Sequence, residues 1–213
     1  ISDIHLGYGT GKSFLKKYVR MINSQNPDLI LIGGDLVDGT VVPLYKENMK
    51  EELNQLNAPL GIYMVLGNHE YYSGIQKCIE YIKQTKIQLL MDSVVTLPNG
   101  IQIIGRDDRS NPKRKNLKQL MIQTDASKPT ILIDHQPYKL AETEEAGIDL
   151  QFSGHTHEGQ AWPLNMITKK IFEQSYGYRK WGKSQIYVSS GLSLWGPPFR
   201  IGTDSEMIVF LIK

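Results

Sequence analysis

An α/β chain with two mixed β-sheets packed face to face and helices outside is the fold class that the sequence predicts, on three observations. Short continuous apolar runs recur near residues 29–32, 62–66, 130–133 and 150–152, and such runs mark strands covered on both faces. Segments with helical spacing of apolar residues lie between them, among them Phe14, Leu15, Tyr18, Val19 and Ile22. Residues 94–104 (VVTLPNGIQII) read as a hairpin, two β-rich runs joined through Pro98, Asn99 and Gly100. At 213 residues and 40% hydrophobic content the chain can bury one sizeable core, and nothing divides it, so residues 1–213 are expected to form a single domain.

In chain order, Ile1 to His5 (ISDIH) is the first strand candidate and already contains Asp3 and His5. Only Ile1 and Ser2 precede Asp3, so the natural chain is expected to start further upstream, with a hydrophobic anchoring segment there. Residues 7–13 (GYGTGKS) suggest a phosphate-binding P-loop, but that motif needs a glycine five residues before Gly11, where Leu6 stands. The stretch is therefore read as a loop opening the helix of Phe14 to Ile22, which Asn26, Pro27 and Asp28 end. Leu29 to Ile32 then form a strand running through Gly33 and Gly34 to Asp35 and Asp38.

A helix over Lys46 to Leu56 should turn Met49, Leu53 and Leu56 inward, and Pro59 and Gly61 restart the sheet at Ile62, which leads to Gly67, Asn68 and His69. Ile75, Cys78, Ile79 and Ile82 mark a further helix, which makes the single cysteine a core residue. After the hairpin, residues 105–114 (GRDDRSNPKR) are a polar loop, and Lys113, Arg114 and Lys115 open a helix either as a solvated face or as a patch for anionic headgroups. The strand at 130–133 ends in Asp134, His135, Gln136 and Pro137, and a short helix over Lys139 to Ala146 returns the chain. The strand from Leu150 runs into His155 and His157, and strands at Ile186–Ser189 and Met207–Ile212 finish the second sheet. The aromatic residues near the C-terminus, on the Tyr176–Trp181 and Leu192–Phe199 segments, are candidates to rim a binding site.

All five histidines, His5, His69, His135, His155 and His157, stand at the ends of apolar runs. In open α/β sheets ligands bind in the crevice outside the carboxyl ends of the strands, so these side chains can converge. The donor inventory is imidazole, carboxylate and one amide without thiolate, which suits Mn, Fe or Zn ions and excludes a zinc knuckle. A net charge of +2 gives no general electrostatic case for extended nucleic acid, and no run approaches the roughly 20 apolar residues of a membrane span.

The ordered blocks Asp3-x-His5, Gly34-Asp35-x-x-Asp38, Gly67-Asn68-His69-Glu70, His135 and Gly154-His155-x-His157 resemble the calcineurin-like metallophosphoesterase family. The resemblance implies the same four-layer αββα sandwich and a hydrolase with two divalent metal ions. Asp3, His5, Asp35 and His157 would hold one ion, and Asp35, Asn68, His135 and His155 the other, with the two oxygens of Asp35 bridging. His69 would act as general acid beside the leaving group, oriented by Asp38, while hydroxide held by the metals attacks phosphorus. Gly39, where protein Ser/Thr phosphatases carry Arg, and Asp38, where purple acid phosphatases carry Tyr, exclude those two branches. Residues 154–160 (GHTHEGQ) are closer to a bacterial, often membrane-associated branch that reads GHTHGGQ, with Glu158 in place of a glycine. The implied substrate is a small phosphorylated, lipid-linked or nucleotide-sugar compound such as UDP-diacylglucosamine. A nuclease or cyclic-nucleotide phosphodiesterase and a catalytically silent metal-free interaction scaffold are the alternatives.

Overall fold

The computed structural model describes residues 1–212. In chain order the elements are α1 (Lys12–Asn23), β1 (Ile30–Ile32), α2 (Val42–Lys46), α3 (Met49–Leu53), β2 (Ile62–Met64), α4 (Asn68–Tyr72), α5 (Ile75–Ile82), β3 (Gln88–Leu89), β4 (Ser93–Thr96) and β5 (Gln102–Gly105). There follow α6 (Leu117–Met121), β6 (Thr130–Ile133), α7 (Ala141–Glu145), β7 (Leu150–Ser153), a 3-10 turn (His157–Gly159), α8 (Leu164–Ile171), β8 (Gly177–Trp181) and β9 (Ser184–Val188).

Two sheets result, one in the order β1-β2-β3 and one in the order β4-β5-β6-β7-β9-β8. Both were expected to be mixed. The large one is, with antiparallel pairs at its two edges, but the small one is entirely parallel. Side chains alternate across each strand, which builds the layers. Tyr63, Ile103, Ile133 and Phe152 meet between the sheets. Ile30, Ile32, Ile62 and Met64 face the opposite way onto α1, α3 and α5, where Leu15, Val19, Leu53, Cys78 and Ile82 are buried. Ile104 and Leu132 on the far side of the large sheet take Leu117 and Leu120 of α6. This is the expected αββα order of layers, with Cys78 in the core.

Three segments depart from the sequence reading. The helix over Lys46–Leu56 is broken into α2 and α3 at Asn48, whose φ of 50° is left-handed, yet Met49, Leu53 and Leu56 are buried as expected. Residues 1–5 form no strand, because Asp3 and His5 have φ of 54° and 49°, although Gly33 N–H still bonds Ile1 O at 2.9 Å and Asp3 N–H bonds Gly34 O at 3.1 Å. Met207–Ile212 pairs with no ladder. Its alternation reflects burial alone, since Ile208 and Phe210 pack into the inter-sheet cluster while Val209 is exposed.

Candidate metal centre

The loops after β1, β2, β6 and β7 leave the sheets side by side, and the N-terminal segment lies across them. Gly34, at φ +97°, is where β1 gives way to the Asp35 loop, and a Cβ there would sit 2.6 Å from His135 Nδ1. That contact has a use. The Gly33 carbonyl accepts from His135 Nδ1–H at 2.7 Å, which fixes the ring with Nε2 3.0 Å from Asp35 Oδ2 and 3.2 Å from Asn68 Oδ1. Asn68 Oδ1 also meets His155 Nδ1 at 2.7 Å.

A second convergence adjoins the first. His5 and His157 point their Nε2 atoms at each other 3.0 Å apart, His157 Nε2 is 3.4 Å from Asp3 Oδ1, and His5 Nε2 is 3.9 Å from both Asp3 Oδ1 and Asp35 Oδ2. The ligating atoms of Asp3, His5 and His157, and those of Asp35, His135 and His155, form groups within 4.8 Å. All seven expected ligands are therefore together, and Asp35 stands between the groups. Its geometry differs in one respect from the expectation that both oxygens bridge. Oδ1 accepts the His69 backbone N–H at 2.9 Å, so Oδ2 alone faces both His5 and His135.

Metal ions fit this donor set. The Nε2 atoms of His5 and His157 face each other at 3.0 Å, and two imidazole nitrogens so placed can share only one proton. The electrostatics agree. Burial opposes the charged forms of Asp3 and Asp35, but neighbouring histidines hold both carboxyls below their usual range. Burial pushes His5 and His155 down to about 4, whereas in His135 the adjacent Asp35 overcomes burial and raises the ring.

His69 is set apart by its partner. Its Nδ1 lies 2.8 Å from Asp38 Oδ1, and although burial works against charge on the ring, the bond to Asp38 and the charge of Asp35 raise its pKa. The same bond lowers the Asp38 carboxyl. His5 and His69 rings meet edge-on at 4.6 Å, and His69 also lies within 4.8 Å of His5 and Asp35 ligand atoms, so it borders both groups directly.

Several residues at the site were not assigned from sequence. Glu70, for which the sequence leaves both support of the ligands and exposure to water open, is fully buried and accepts N–H bonds from Gly67 (2.7 Å), Val37 (2.9 Å) and Asp35 (3.1 Å), tying two ligand loops together. Burial raises its pKa to about 7. Its place at the third position of α4, reaching back to the cap residue, is the capping-box signal that identifies it. Arg200 donates to the carbonyls of His157, Ser190 and Ser193 at 3.0, 2.6 and 2.9 Å, and no local motif announces it. Of the basic run, Arg114 binds Asp134 at 3.1 Å and Lys115 donates Nζ to the Asp92 carbonyl, while Lys113 and Lys115 stay exposed. The aromatic rim is also redistributed. Tyr178 to Trp181 lie in the edge strand β8, whereas Trp195 and Tyr72 stand 6.1 and 5.7 Å from the His69 ring and Phe172 stands 5.8 Å from His155. Glu158 takes a φ of 52°, the backbone a glycine would adopt freely, so the loop keeps its form without one.

A sequence model described as calcineurin-like phosphoesterase matches residues 1–159. An uncharacterized metallophosphoesterase of Helicobacter pylori strain J99 is 36% identical over 97% of the chain and 57% of its own length. A Danio rerio protein named as a transmembrane protein with a metallophosphoesterase domain is 32% identical over all of the chain and 52% of its own. The chain thus spans little more than half the length of these relatives. Among solved structures, a 5'-nucleotidase precursor from Thermus thermophilus superposes with a TM-score of 0.57 at 15% identity, covering 89% of this chain and 47% of that one, a likeness of fold.

Proposed function

Since the chain belongs to the calcineurin-like phosphoesterase family, we propose that it hydrolyses a phosphate ester or pyrophosphate using two divalent cations. The observation that carries the reading is the placement of Asp35 Oδ2 between two imidazole groups. Asp3, His5, Asp35 and His157 would hold one cation, and Asp35, Asn68, His135 and His155 the other, with Mn, Fe or Zn suited to these donors. Such a pair, when bound, supplies Lewis-acid polarisation of the phosphoryl group and acidifies water.

The remaining work falls to the chain. His69, kept protonated by Asp38, gives a proton to the departing oxygen, and Asp38 stabilises the ring's charge until it does. The His69 N–H holds the Asp35 carboxylate in one orientation, and Glu70 holds the Asp35 and Gly67 backbones. Trp195, Tyr72 and Phe172 offer aromatic walls to whatever carries the phosphate. That rim supports a lipid-linked or nucleotide-sugar substrate such as UDP-diacylglucosamine over extended nucleic acid, for which a charge of +2 gives little steering. The complete ligand set with His69 argues against a silent scaffold. Among the described residues no helix is long and apolar enough to cross a membrane, and the transmembrane relatives' names favour a tether elsewhere in the whole protein.

The test is metal analysis of the wild type and of Asp35→Asn, alongside turnover on monoester, diester and nucleotide-sugar panels. Two ions per wild-type chain and loss of both together in the variant are expected. Two full sites in Asp35→Asn would contradict the bridge.

A further inference from the structure

Helix α8 faces the wrong way for a core. It meets the protein through partly buried Asn165 and Thr168, while Leu164, Met166, Ile167 and Ile171 are 51, 55, 51 and 57% exposed. An ordinary surface helix does the reverse. At 3.6 residues per turn Leu164, Ile167 and Ile171 share one stripe, so the exposed residues form a continuous apolar edge. The edge extends beyond the helix. Trp162, 64% exposed, bonds Ile201 O through its N–H at 2.8 Å, and Ile201 and Phe199 are themselves half exposed.

The same segment carries an excess of positive charge. Residues 161–183 hold five Lys or Arg and one Glu, a formal charge of +4, against +2 for the whole chain. Lys169 and Lys170 are exposed in the last turn of α8, and Arg179 and Lys180 are exposed on β8. Apolar stripe, tryptophan and flanking lysines together compose a helix that lies in a bilayer interface. A two-fold contact with a second copy would set this positive segment against itself. Protein interfaces in general are poor in lysine.

We propose that α8, Trp162 and the Phe199–Ile201 segment form a lip that inserts into an anionic phospholipid surface. The lip is coupled to the metal centre, because α8 follows the turn of His157–Gly159 and Gly159 packs against the Asn165 backbone. Docking there seats the aromatic mouth on the lipid, where an amphiphile reaches the centre without crossing water. Lipid binding and turnover are separable, and the test reads each.

The 213-residue chain is mixed with vesicles of phosphatidylcholine alone and of phosphatidylcholine with phosphatidylglycerol in equal parts, and the bound fraction is read by sedimentation. Binding to the anionic vesicles is expected to fall roughly tenfold or more in Ile167→Asp, which loses one inserted side chain. It is expected to fall about 5-fold for each lysine neutralised in Lys169→Gln and Lys170→Gln. Turnover of a soluble nitrophenyl ester should stay unchanged in all three, which shows the fold intact. Failure of the wild type to bind anionic vesicles, or equal binding by Ile167→Asp, overturns the proposal. So does concentration-dependent dimerisation that Ile167→Asp abolishes, which would give the lip to a second copy.

Discussion

Replacing His69 with alanine separates proton donation from metal holding, because the two depend on different atoms of the residue. The backbone N–H that bonds Asp35 Oδ1 at 2.9 Å survives the change, whereas the ring that meets Asp38 at 2.8 Å is lost. The ion sites should therefore stay full. A positioned general acid is worth about 10² to 10⁴ in rate, and at about 1.36 kcal/mol per decade this is roughly 3 to 5 kcal/mol of barrier. Only leaving groups that need the proton draw on it. Alkyl esters should lose the whole factor, while a nitrophenolate, which departs as the anion, should lose little. In Asp38→Asn a neutral acceptor replaces a charged one, a difference of about 1 to 1.5 kcal/mol, so alkyl esters should slow roughly 5- to 10-fold. The assay is kcat/KM across a series of alkyl and aryl esters, with metal content measured on the same samples. One factor lost uniformly along the series, or loss of an ion in His69→Ala, would refute the assignment.

Two further substitutions test the frame around the ligands. Glu70→Gln leaves one acceptor oxygen and turns an amide N–H₂ toward backbone N–H groups, so it should destabilise by roughly 2 to 4 kcal/mol. At about 2 to 4 °C per kcal/mol for this chain length, Tm should drop by about 5 to 15 °C, and an unchanged Tm would show the three bonds to be dispensable. Glu158→Gly relieves a left-handed residue worth about 1 to 2 kcal/mol but adds chain entropy of about 0.5 to 1 kcal/mol, so the strain term wins. Tm should rise by about 1 to 4 °C, and a fall would mean that the Glu158 side chain holds the loop.

What could be read in advance was whatever depends on neighbours in sequence. Asp35, Asn68, His135, His155 and His157 each follow a short apolar run within a few residues, so the strand delivers the ligand, and the same locality exposed the hairpin of β4 and β5. Periodicity reports which side chains are buried, which is why Met49, Leu53 and Leu56 came out inward although their helix breaks at Asn48. It does not report pairing, hence the unpaired Met207–Ile212. Arg200 was out of reach for another reason. Its meaning lies in the carbonyl of His157, 43 positions away, and nothing local distinguishes it from a solvated arginine.

The backbone of the ligands explains why such distant supports exist. Five of the seven candidate ligands, Asp3, His5, Asp35, His155 and His157, have positive φ between 48° and 73°. At about 1 to 3 kcal/mol each, this strain is comparable with the roughly 5 to 15 kcal/mol that stabilises a whole domain, so the surroundings must over-determine it. They do so by interlocking. Asp3 Oδ1 accepts the His155 N–H at 3.0 Å, Asp35 Oδ1 accepts that of His69, Glu70 spans the Asp35 and Gly67 loops, and Arg200 gathers three carbonyls around His157. These groups reach across from one segment to another, so the ligand loops brace one another. A cation would then meet donors already gathered, because folding has met the cost of bringing buried carboxylates and imidazoles together.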